Sequence, residues 1–162
     1  MARHSAITPW VPVVLWVAVI AGLGSSGFQH DQTSRFIGPL LHWLFPDWSD
    51  ADIAGLHGWI RKGAHVTVYA IAAVLTYRAL WLTGRASTRL AAALPTLGLV
   101  AGVALADEGR QALVESRTGS PRDVALDVAG GGAGLSLAPW LVPWLGGRRR
   151  ENEPDRKDAA HG

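Results

Sequence analysis

Leu90 to Ala106 reads LAAALPTLGLVAGVALA, a stretch without one charged side chain, bounded by Arg89 on one side and Asp107-Glu108 on the other. A helix needs about 20 mainly apolar residues to cross the hydrocarbon core of a bilayer. The stretch therefore predicts a membrane span from Arg89 to Asp107. Three more follow on working outward. Val128 to Gly147 is also uncharged and continues a helix that opens near Pro121. Gly63 to Leu82 is broken only by Arg78, close enough to its end for the long side chain to reach the interface. Pro9 to Ser26 lies inside an interval, His4 to His30, that holds no charged residue between its ends. Pro95, Pro139 and Pro143 fall within these spans, and membrane bundles tolerate such breaks. The fold class is an all-α membrane protein, a four-transmembrane-helix bundle over 1–147, with a disordered charged cytoplasmic tail over 148–162.

Composition agrees. Of 162 residues, 49% are hydrophobic and only 17% charged, against a usual charged share of about 25%. The net charge of +2 argues against a nucleic-acid partner, which would call for a strong basic face. The absence of cysteine excludes disulfides, thiol nucleophiles and thiolate metal sites. A signal peptide competes for the first span, since Arg3 and His4 precede it and small residues follow at Gly24 to Gly27. The length of that apolar run and the three spans after it favour a retained helix.

Placing the N-terminus inside puts Arg3, the Arg78, Arg85 and Arg89 group and Arg148-Arg149-Arg150 in the cytoplasm, as the positive-inside rule prefers. Trp10, Trp59, Trp81, Trp140 and Trp144 then fall at or near span ends, like an aromatic belt. Phe36, Leu40, Leu44 and Trp48 are spaced by four, which predicts a short interfacial helix in the first outer loop.

Alternation of the spans brings the start of the second, the end of the third and the start of the fourth to one membrane face. Charged groups at membrane depth are costly, so these ends hold the candidate site. Lys62, His65 and Tyr69 share one stripe of the second span. Asp107, Glu108 and Gln111 close the third, and at least one of two adjacent carboxylates must turn into the bundle. Ser120, Pro121 and Asp123 suit the N-cap, first and third positions of the fourth helix. Asp127 lies one turn deeper on the stripe of Asp123, Gly130 and Gly134, where small residues let helices approach closely. It needs a cationic or protonated partner, for which His65, Lys62 and Arg117 all qualify.

The ordered residues Arg61-Lys62-Gly63-Ala64-His65 with Tyr69, Asp107-Glu108 with Gln111, and Arg117, Gly119, Ser120, Asp123, Asp127 and Gly130 resemble the VanZ-like family of small bacterial membrane proteins. Ser25-Ser26, ending the first span, is similar to that family too, and the resemblance covers roughly residues 9 to 146. The family's His motif ordinarily continues through an acidic and an aromatic residue; here Thr67 and Val68 precede Tyr69. The resemblance implies a bacterial cytoplasmic membrane, a polar cluster facing the cell wall, and an association with low-level teicoplanin resistance.

Two classes of function fit these residues. In an envelope enzyme, His65 with Asp107, Glu108 or Asp127 does acid–base work on a lipid-linked or cell-wall substrate. Lys62, Tyr69, Gln111, Arg117 and Asp123 are then the residues to hold the substrate, Lys62 and Arg117 gripping a phosphate or other anionic head group. In a non-catalytic module, the same residues bind a head group, or pin helix ends together. No HExxH or comparable ligand spacing is present, and no cofactor or metal is expected. The expected partners are membrane lipids.

Overall fold

The computed structural model describes residues 7–23, 30–112 and 121–144. Within them the chain forms five α-helices: α1 (Val11–Leu23), led in by a 3-10 turn over Thr8–Trp10, α2 (His30–Leu44), α3 (Asp50–Leu82), α4 (Arg89–Ala112) and α5 (Pro121–Trp144). The described residues contain no strand.

Three of these helices are long and apolar enough to cross a membrane: α3, the Arg89–Arg110 part of α4 and the Pro121–Pro143 part of α5. The segment expected to be the first span is helical from Thr8 to Leu23, a shorter stretch, and positions 24–26 lie outside the described residues. The expected C-terminal tail lies outside them as well.

The side chains are sorted as lipid requires. Ala73, Ala79, Ala86, Ala92, Ala104 and Ala138 are completely buried, whereas Leu90, Leu94, Leu105 and Leu137 face outward. Between helices in a bilayer, small residues let backbones come close, while large aliphatic side chains lose nothing by facing acyl chains. Buried Thr76 and Thr96 satisfy their hydroxyls on their own helices, donating to the carbonyls of Ala72 at 2.8 Å and Ala92 at 2.7 Å.

α3 departs most from the sequence expectation. It begins at Asp50, not Gly63, because Ser49 and Asp52 form a reciprocal capping box that starts the helix well before the apolar run. Its 33 residues make a rod of about 50 Å, against a hydrocarbon core of about 30 Å. The apolar part from Gly63 onward is long enough for a crossing by itself, and the Asp50 end is length beyond that need. Gly84, at a φ of 68°, closes the other end, with Arg85 and Gly84 donating to the carbonyls of Leu80 and Trp81. This turn sends α4 back alongside α3.

α2 also differs in extent from the expected Phe36 to Trp48 helix. It runs from His30 to Leu44, and Trp48 lies past its end, stacked on Phe45 with ring centroids 4.5 Å apart. Leu41 is buried while Leu40, Trp43 and Leu44 stay exposed. An ion-pair contact of 3.3 Å from His42 to Asp50 ties the helix to the start of α3.

Candidate functional site

α3 and α5 make the most extensive helix contact. Its cause is glycine. A Cβ at Gly130 would lie 2.6 Å from the Val66 carbonyl oxygen, and one at Gly134 would collide with the Ala70 backbone. Gly131 plays the same part against α4, where a Cβ would lie 2.5 Å from a Val100 methyl. The Gly130–Gly134 pair thus lets α5 lie directly on the α3 backbone, as the small-residue stripe predicts.

That approach carries Asp127 into contact with His65. His65 Nδ1 lies 3.0 Å from Asp127 Oδ1, with the Asp127 side chain 5% exposed and the imidazole 29% exposed. A carboxylate accepts, so Nδ1 donates, and the neutral ring then presents a bare Nε2. A carboxylate that fixes the tautomer and leaves the second nitrogen open is the arrangement of an oriented general base. Tyr69, one turn from His65 on α3, completes the cluster. It is 2% exposed, and its hydroxyl makes no hydrogen bond among the described residues. The Asp127 carboxylate acts on that hydroxyl more strongly than any other charge, followed by Asp107 and then Glu108 at the end of α4.

Around this core, Asp107 accepts a 2.6 Å hydrogen bond from Arg110, a local counterion within one turn of α4. Arg61 and Asp123, one turn before His65 and Asp127 respectively, both act electrostatically on the His65 ring. On α1, Trp16 donates its indole N–H to the Val68 carbonyl at 2.9 Å, holding that helix to α3 beside the site.

The sequence model of the VanZ/LLP1 family matches residues 10–142 of this architecture. The chain belongs to the VanZ/LLP1 family. No curated protein and no solved structure matches it. The VanZ/LLP1 match begins just before α1, ends near the close of α5, and includes every candidate residue.

Within this VanZ/LLP1 domain, His65, Tyr69 and Asp127 come together, with Asp107, Glu108 and Asp123 in electrostatic range. Lys62 does not share their setting: it is exposed, its ammonium 5.1 Å from the centroid of the Trp59 ring. Gln111 falls in the last turn of α4, and Arg117, Ser25, Ser26 and Ser120 lie outside the described residues. Arg61, which opens the family motif, has no role among the site residues expected from the sequence. Its spacing of four from His65 was the available signal, but Lys62, at a spacing of three, satisfied the same rule. Among the described residues no group of three or more His, Asp and Glu side chains is placed to hold a metal ion.

Proposed function

We propose that this VanZ/LLP1-family chain is a multi-pass protein of the bacterial cytoplasmic membrane that acts at the extracytoplasmic face on a lipid head group or cell-envelope component. On this reading α1 is a fourth span, both termini are cytoplasmic, and α2 rests on the outer surface with Leu40, Trp43 and Leu44 in the lipid interface. The outward-facing leucines and the basic residues Arg78, Arg85 and Arg89 at the opposite end of the bundle support it.

The observation that carries the functional reading is the His65–Asp127 pair, a buried carboxylate orienting a partly open imidazole. His65 Nε2 is the group to take or give a proton at a bound head group, and Asp127 holds the ring and balances its charge. The same activity at the outer face is the proposed basis for a link to teicoplanin resistance.

His65→Asn tests this, because the Asn amide reproduces the Nδ1 donor and removes Nε2. Wild-type chain expressed in a susceptible host should lower teicoplanin susceptibility, and His65→Asn should abolish that effect at unchanged membrane level and melting temperature. A variant as protective as wild type would end the acid–base reading. A wild type without effect would end the glycopeptide link.

A structural role is the second reading. The pair sits where Gly130 meets Val66, so it also pins the helix crossing. A pin alone predicts that His65→Asn is silent in cells and that His65→Ala fails only through unfolding.

A further inference from the structure

The charges next to His65 are of opposite sign and come from different helices. Arg61 is half-buried on α3, one turn before His65, and Asp123 half-buried in the first turn of α5, one turn before Asp127, so the 3.0 Å His65–Asp127 contact sets both at the same end of the helix crossing. The ion pairs His42–Asp50, His65–Asp127 and Arg110–Asp107 among the described residues involve neither of them. Asp127 is held by His65 and Asp107 by Arg110, and Glu108 has an interaction of its own. Lys62 is turned onto Trp59. The buried Tyr69 hydroxyl beside Asp127 lacks a hydrogen-bond partner among the described residues, and buried polar groups are seldom left so.

We infer that Arg61 and Asp123 flank His65 as a two-pole receptor for a zwitterionic head group, a phosphate diester bearing a primary amine. Arg61 takes the phosphate oxygens through its guanidinium fork, and Asp123 takes the ammonium. A purely anionic group would gain Arg61 but meet the Asp123 carboxylate, and like charges at such range repel. The depth agrees. Lys62 over exposed Trp59 is a pairing suited to the membrane–water interface, and Arg61 is its neighbour in the chain. This inference rests on the His65–Asp127 cluster being a binding site, and it names the chemistry of what binds.

The test follows the ¹⁵N-labelled His65 ring by NMR in full-length protein held in dodecyl maltoside, a detergent without phosphate. Dihexanoyl phosphatidylethanolamine should shift the ring signals saturably. Arg61→Gln and Asp123→Asn should each raise the Kd about tenfold, as expected for loss of one charge-assisted contact. Arg61→Lys should fall between, and it serves as the readable variant where Arg61→Gln does not fold. Free phosphoethanolamine binding as tightly as the lipid would keep the two-pole chemistry and assign the ligand to a soluble source. Dihexanoyl phosphatidylglycerol binding as tightly as phosphatidylethanolamine, with Asp123→Asn without effect, would overturn the inference. So would equal losses from Arg61→Gln and Lys62→Gln, or no saturable shift with either lipid. If no lipid shifts the ring yet His65→Asn still abolishes the cellular effect, this inference alone fails; a silent His65→Asn removes the reading beneath it.

Discussion

At the scale of single residues, the His65–Asp127 contact sets the largest expected effect. Removing the imidazole leaves a carboxylate buried without a partner, which costs about 3–5 kcal/mol where the site is fully dry. The imidazole is 29% exposed, so His65→Ala should sit at the low end, about 3 kcal/mol. Adding Asp127→Asn should recover much of that loss, because a neutral amide leaves no uncompensated charge. Unfolding in detergent micelles, run as a double-mutant cycle, reads both numbers; losses that simply add would mean the two side chains do not interact. Tyr69→Phe should behave differently. Its hydroxyl has no hydrogen bond to lose among the described residues, so stability should change by less than about 1 kcal/mol. His65 and Asp127 were legible as candidates because each is a polar group inside an apolar run. Which of three cations would meet Asp127 was not legible, since His65, Lys62 and Arg117 all lie at the same end. The α5 glycines decide it by setting the register against α3.

At the scale of elements, those glycines give the sharpest contrast. Gly130→Ala places a methyl 2.6 Å from the Val66 carbonyl oxygen, a backbone atom that cannot swing aside. The helices must separate, at about 1–3 kcal/mol for an overpacked contact, and the His65–Asp127 bond should lengthen with them. Gly132→Ala, on the same helix with nothing within 4 Å of its Cβ, should be neutral or slightly stabilising through helix propensity. Thermal melts of the two variants check this, and equal melting temperatures would refute the packing account. Ser49→Ala should cost about 1 kcal/mol by removing the α3 cap, read as faster amide exchange confined to the first turns of that helix. The Gly130–Gly134 stripe could be read from the sequence because its spacing is fixed by helix geometry. The early start of α3 was not legible because Asp50 to Lys62 has too many polar residues to register as a span, and its Ser49-x-x-Asp52 signal speaks of capping rather than hydropathy.

For the whole molecule, orientation is the property that most constrains function, and a chain free of cysteine suits its measurement. Asp47→Cys and Lys62→Cys should react with a membrane-impermeant thiol reagent in intact cells, and Ser87→Cys should not. All three positions are exposed, so the difference would report sidedness rather than burial. The opposite pattern would put the His65 cluster in the cytoplasm and remove the cell-wall reading. The membrane class and three spans were legible because uncharged runs of that length have few alternatives. The extent of α1 and α2 was not, since short helices owe their ends to neighbours and turns rather than to hydropathy. One consequence of the long, unbroken α3 concerns motion. Where Gly130 bears on Val66 the rod has a fulcrum, and Asp50 stands about 24 Å from it along the axis. A rocking of about 5° would sweep that tip through about 2 Å while displacing the backbone at His65, one residue from the pivot, by only about 0.1 Å. The far arm can swing while the His65–Asp127 pair stays at its still point.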